Sequence, residues 1–241
     1  MSVGVPEILH DLSASSRAAD LLKEYFGPAR PGQIPRYSGS RFESFPNAGV
    51  SQGSPYEITA EDLLAVQCLG VKFKGDQVLW ILDVNRERIS DLLAQISTES
   101  LLWDDDQADI ERDAVGGGAP SAANELWGIL RFPDRDSARG KGRGSGVGPT
   151  KTSKLMARKR PDLFPIFDSR VRRMLGAADS RKWYTRYRNL MLTDVAGGPL
   201  HEQLAALIDD LKEEANSGVP QSLTVLRACD VILWMEEPST R

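Results

Sequence analysis

The chain has 241 residues, 41% hydrophobic and 27% charged, which suits one large or two small globular domains with a real core and excludes a disordered or fibrous chain. No apolar run reaches the roughly eighteen residues of a membrane span, Met1–Pro6 lacks the features of a signal peptide, and two cysteines (Cys68, Cys229) and two histidines (His10, His201) far apart exclude a disulfide framework, a zinc knuckle and a four-cysteine iron–sulfur cluster. The formal net charge of −4 resembles that of an ordinary cytoplasmic enzyme, and taken whole it argues against a polyanionic partner.

Helical periodicity dominates the chain. Pro6 to Phe26 reads as an amphipathic helix, with Ile8, Leu12, Ala19, Leu22 and Phe26 near one face and Gly27-Pro28 as its stop. Residues 28–57 are rich in Pro, Gly and Ser and carry Tyr37, Phe42, Phe45 and Tyr56, the pattern of a long ordered loop with room for a short strand. Thr59 followed by Asp62 is an N-cap signal for a helix over 60–70. Val78 to Leu82 fits either a strand or a turn-flanked core segment, and Arg86 to Ile96 returns to helical spacing. Asp104-Asp105-Asp106 reads as a solvated loop rather than a metal site, and Gly116-Gly117-Gly118 as a flexible connection. Ser121 to Phe132, Pro199 to Ala215 and Ser222 to Met235 are helical, the second with a stripe of Leu204, Leu207, Ile208 and Leu211. The expected fold is mainly α with a few short strands in the N-terminal part. It divides into 1–120, 121–198 and 199–241 within one compact two-lobed unit.

The net charge hides a strong asymmetry. Residues 131–190 hold 17 Lys+Arg against 5 Asp+Glu, a balance of +12, and the remainder carries −16. Such a block points to nucleic acid at the basic part, with a solvated basic face as the plain alternative. Within it, Gly146-Val147-Gly148-Pro149 predicts a tight turn opening a helix, with outward backbone N–H groups that suit a phosphate. Thr150, Lys151 and Lys154 lie near that turn. Further on, Phe164-Pro165-Ile166-Phe167 leads into Asp168 at the start of a run with Val171, Met174 and Leu175. An aspartate there is an N-cap, and the helix dipole favours its ionised form by about 0.3–1 kcal/mol.

The glycine turn and the aspartate twenty residues after Gly148 resemble the helix-hairpin-helix and catalytic-aspartate signature of the DNA glycosylase superfamily. The second element is closest to the adenine-excising branch, and the similarity covers about thirty residues. The Thr-Lys, Lys-Arg-Pro and Phe-Asp-Ser pattern also suggests a divergent actinobacterial-type family of uncharacterised proteins. In bifunctional members of the superfamily the second residue after the last hairpin glycine is a Schiff-base lysine. Here that position holds Thr150, and Lys151 is displaced about 100° around a regular helix.

The resemblance therefore implies a monofunctional glycosylase that flips a modified base out of double-stranded DNA and leaves an abasic site, with Asp168 catalytic and Lys151 catalytic only if a lyase step occurs. It implies DNA contacts at Gly146, Val147, Gly148, Thr150, Lys151, Lys154, Arg170 and Arg172. Some relatives excise glucosylated hydroxymethylcytosine from phage DNA, and this chain is similar in size and organisation, so phage defence stands beside ordinary base-excision repair. Tyr37, Trp103, Trp127, Trp183 and Tyr187 are candidates for the base pocket, with the core the more ordinary place for each. A monomer with no metal and no cofactor is expected, save a monovalent cation that the hairpin could hold. The rival reading is a non-catalytic helix-hairpin-helix DNA-binding protein in which Asp168 only caps a helix.

Overall fold

A computed structural model describes residues 4–27, 33–46, 53–104, 121–131, 147–176, 182–195 and 197–237. Ten α-helices make up the described fold: α1 (Arg17–Phe26), α2 (Ala60–Gln67), α3 (Gly75–Leu79), α4 (Arg86–Gln95), α5 (Ala122–Leu130), α6 (Pro149–Lys159), α7 (Ser169–Met174), α8 (Trp183–Met191), α9 (Leu200–Glu213) and α10 (Val225–Glu236). The mainly α class follows. Among the described residues no helix is long and apolar enough to cross a membrane.

Local chemistry explains where the elements begin. The helix expected from Pro6 is instead a single 3-10 turn, Glu7–Leu9, followed by a break. There Asp11 accepts from the Ser13 amide at 3.1 Å, and the Ser16 hydroxyl accepts from the Ala19 amide to start α1. Short polar side chains competing for backbone groups cut the helix that periodicity alone would continue. Thr59 and Asp62 form the predicted reciprocal capping box at the start of α2. Val78–Leu82 is helical and not a strand: α3 runs into a π-helical turn at Trp80–Val84, where the Asn85 amide donates to the Trp80 carbonyl at 3.1 Å. The only strands among the described residues, β1 (Asp194–Val195) and β2 (Gly198–Pro199), form an antiparallel pair that launches α9. They lie late in the chain, not in the N-terminal part where strands were expected.

Two hydrophobic clusters organise the molecule. The first joins α1 to α7, α8, α9 and α10 through residues such as Leu22, Trp183, Leu204 and Ile232. The second gathers α2, α4, α5 and α6 around Leu63, Leu92, Leu126 and Phe164. This pairing of the N-terminal helix with the last four does not follow the chain-order division at 120 and 198. The segment Phe164–Asp168 crosses the seam: Phe164 and Ile166 belong to the second cluster, Phe167 to the first, and Asp168 emerges between them.

Candidate functional site

A cavity of about 260 Å³ opens at this seam. Its lining comes from α1 (Tyr25), the loop before α2 (Arg36 to Gly39), the end of α2 (Cys68 to Gly70), α6 (Lys154), the crossing segment (Ile166, Asp168) and α10 (Arg227, Asp230, Val231, Trp234). The aromatic walls are ordered among themselves. Tyr25 and Tyr37 stack at 5.2 Å with 14° between planes, and Trp234 presents an edge-to-face contact to both at 6.1 Å. Gly39 admits the Tyr25 hydroxyl closely, since a Cβ there would lie 2.1 Å from it. Gly70, at φ +76°, turns the chain along the wall.

Asp168 is the N-cap of α7: its Oδ1 accepts from the Arg170 amide at 2.9 Å. Its Oδ2 stands 3.5 Å from Lys154 Nζ, which also donates to the Leu69 carbonyl at 3.0 Å. The Lys154 side chain is 4% exposed. Burial lowers its pKa, while the Asp168 and Asp230 carboxylates act in the opposite direction.

Behind these groups, Arg227 distributes its guanidinium over four partners: Glu43 at 2.6 Å, Asp230 at 2.5 Å, the Tyr25 hydroxyl at 2.9 Å and the Gly39 carbonyl at 3.1 Å. Burial opposes its charge, and Glu43, Tyr25 and Asp230 together hold its pKa above the ordinary value. Burial pushes the Asp230 carboxyl up to about 6 despite Arg227. Neither residue was singled out by motif. The signal was present all the same: Arg227 and Asp230, three apart, interrupt an otherwise apolar helix, a place where a charged pair is buried only if it is paired or used.

The predicted site residues separate into groups. Asp168, Lys154 and Tyr37 line the cavity. Trp183 and Tyr187, 1% and 0% exposed, are core residues packed on Phe167 and on each other, which corrects their placement in a base pocket. Trp103 stacks on His201 at 4.8 Å, and Trp127 meets Tyr184 edge to face at 6.2 Å; neither lines the cavity. Arg170 lies over the Trp234 ring at 4.4 Å and pairs with Glu237 at 3.4 Å, while Arg172 covers Phe167.

At the hairpin, Gly146 lies outside the described residues and Val147 is buried in the protein. Gly148 is the N-cap of α6, with Pro149 at its first turn as the sequence predicts. The array of outward amides is smaller than expected, because Pro149 has none and the Lys151 amide already donates to the Gly148 carbonyl. Thr150 is half-buried on the first turn, and Lys151 donates to Gln77 Oε1 at 3.1 Å over the Phe73 ring, outside the cavity lining.

The largest correction concerns charge. Lys154, Arg158, Lys159 and Arg160 are all buried. Arg158 donates to the carbonyls of Phe42, Glu43 and Phe45 and to Asp62. Lys159 pairs with Asp62 at 2.5 Å. Arg160 donates to the carbonyls of Leu93 and Ile96, closing the C-terminus of α4, and to that of Pro55. The middle of the basic block is internal scaffolding, not a face presented to a polyanion. No curated protein matches the chain, and no solved structure does. One family matches residues 18–237, nearly the whole described fold with the cavity in it, and the chain thereby belongs to DUF6308, a family of unknown function.

Proposed function

We propose that the protein is a DNA glycosylase that hydrolyses the N-glycosidic bond of a modified base held in the cavity, leaving an abasic site. The observation that carries this reading is the position of Asp168. A carboxylate fixed by a backbone amide and facing Lys154 stands at the seam of the two clusters, on the lip of an aromatic-walled hollow. As the base departs, positive charge builds on the deoxyribose, and a preorganised carboxylate beside C1′ lowers that barrier and orients water. Tyr25, Tyr37 and Trp234 supply faces and edges for a planar ring, which offsets the few kcal/mol needed to unstack it from the duplex.

The reaction is monofunctional in this reading. Lys151 is turned away toward Gln77, and Lys154 is committed to the Leu69 carbonyl and Asp168. Borohydride added during turnover is expected to trap no protein–DNA adduct. The decisive experiment incubates the full chain with duplexes containing uracil, oxoguanine, alkylated bases and modified cytosines, glucosylated phage DNA among them, followed by alkali cleavage and mass analysis of released bases. Release from glucosylated DNA alone places the protein in phage defence, and release of a damaged base places it in repair. Asp168 also makes the capping hydrogen bond that a purely structural aspartate would make, which favours the second reading of a non-catalytic DNA-binding protein. Duplex binding without release of any base supports that alternative.

A further inference from the structure

One oxygen of a cavity-lining side chain is used by neither the fold nor the proposed chemistry. Asp230 is 4% exposed and lines the hollow; its Oδ2 accepts from Arg227, but its Oδ1 is buried without a hydrogen-bond partner. A carboxylate oxygen left so costs free energy unless something donates to it. Several donors of the lining serve other acceptors. Arg227 serves Glu43, Asp230, Tyr25 and Gly39; Lys154 serves Leu69 and Asp168; Ser38 donates to the Cys68 carbonyl; and Tyr37 donates to Glu24. The lining carries two carboxylates, Asp168 and Asp230, beside Arg36, Lys154 and Arg227, so the unpartnered oxygen and not a net charge marks the acceptor. What is left over is an acceptor next to stacked aromatic rings.

We infer that the cavity selects a nucleobase bearing an exocyclic amino group, of the aminopyrimidine or aminopurine class, with Asp230 accepting from that N–H. The inference rests on the glycosylase reading for its substrate and extends it to the edge of the base that is read. A keto base would set its carbonyl oxygen against the Asp230 carboxylate, whereas an amino base satisfies it. Discrimination by a buried charged acceptor is worth about tenfold or more.

The test compares bases that differ only in this group: cytosine with uracil, and adenine with hypoxanthine. Binding of each free base to the full chain is followed by calorimetry and by quenching of tryptophan fluorescence, and alkali-labile sites are scored on duplexes carrying 5-hydroxymethylcytosine or 5-hydroxymethyluracil. Amino bases are expected to bind about tenfold tighter than their keto partners, and Asp230→Asn, whose amide can present N–H to a carbonyl, is expected to bring the ratio near one. Equal binding within the pairs, no binding of any base, or a ratio unchanged in Asp230→Asn overturns the inference. The comparison on the unmodified protein needs no variant to fold. Selective binding without abasic sites on any duplex leaves the amino reading standing and removes the glycosylase, and abasic sites formed alike on both members of a pair do the reverse.

Discussion

Asparagine caps a helix about as well as aspartate does, so Asp168→Asn separates the two roles of this residue. The variant retains the hydrogen bond to the Arg170 amide, and its thermal midpoint is expected to lie near that of the wild type in a melting curve. If Asp168 stabilises the departing sugar, alkali-labile sites disappear while duplex binding in a gel-shift assay persists. An unchanged yield of such sites refutes the catalytic assignment. Asp230 offers a second measurement at the same scale. Its neighbours are Arg227 on its own helix, Lys154 on α6 and Asp168 ahead of α7. In the folded chain its carboxyl titrates at about 6 against an ordinary 3.8. The stability it contributes is therefore full below about pH 4 and is lost as pH rises through about 6. The melting temperature of the wild type relative to Asp230→Asn is expected to fall between pH 4 and pH 7, and a flat difference contradicts this. Asp168 was legible in the sequence because its partner motif lies only twenty residues away and its cap is local. Asp230 was not, because its meaning depends on Tyr25 and Lys154, which the chain order keeps far from it.

Helix α6 is the element whose reading changed most. From sequence it is a basic helix, and such a helix ordinarily turns its cations to solvent. Here residues 42–46 and 53–57 have no α-helix or strand to satisfy their carbonyls, and Arg158, Lys159 and Arg160 do so instead. A buried guanidinium with several carbonyl partners cannot be removed cheaply. Arg158→Met and Arg160→Met are each expected to cost about 3 kcal/mol or more in urea unfolding. Lysine at either place should rescue little, since a point charge cannot reproduce the fork. Aromatic positions divide by the same logic: Trp183→Ala is expected to lose about 3–5 kcal/mol of stability as a core truncation, while Tyr37→Ala should chiefly weaken base binding. Most of the helices were legible, including the cap at Thr59 and the first turn at Pro149. The early break before α1 and the π-turn at Trp80 were not, because both depend on side-chain and long-range hydrogen bonds that periodicity does not register.

At the scale of the whole molecule, the excess of +12 in residues 131–190 does not pass intact to a surface, because Lys154, Arg158, Lys159 and Arg160 are buried. With Lys154, Arg158 and Lys159 of α6 turned inward, the proposed DNA glycosylase would draw its phosphate contacts from elsewhere, and Lys72 and Lys74, exposed between the cavity wall at Gly70 and α3, are placed for them. Lys72→Ala with Lys74→Ala is expected to weaken duplex binding uniformly across sequences. It should also reduce the slope of log K against log salt by about 2. An unchanged slope shows that DNA runs over another face.

The arginine clasp described for α10 has a consequence for how the protein comes into being. Arg227 reaches Tyr25 across 202 positions of chain, and Arg158 reaches the loop across more than a hundred. Contacts of such span form late and slowly, after the entropy of closing the intervening chain has been met. During synthesis the hollow has no floor until α10 has left the ribosome, so a nascent chain carries Asp168 for some sixty residues of elongation without a cavity beside it.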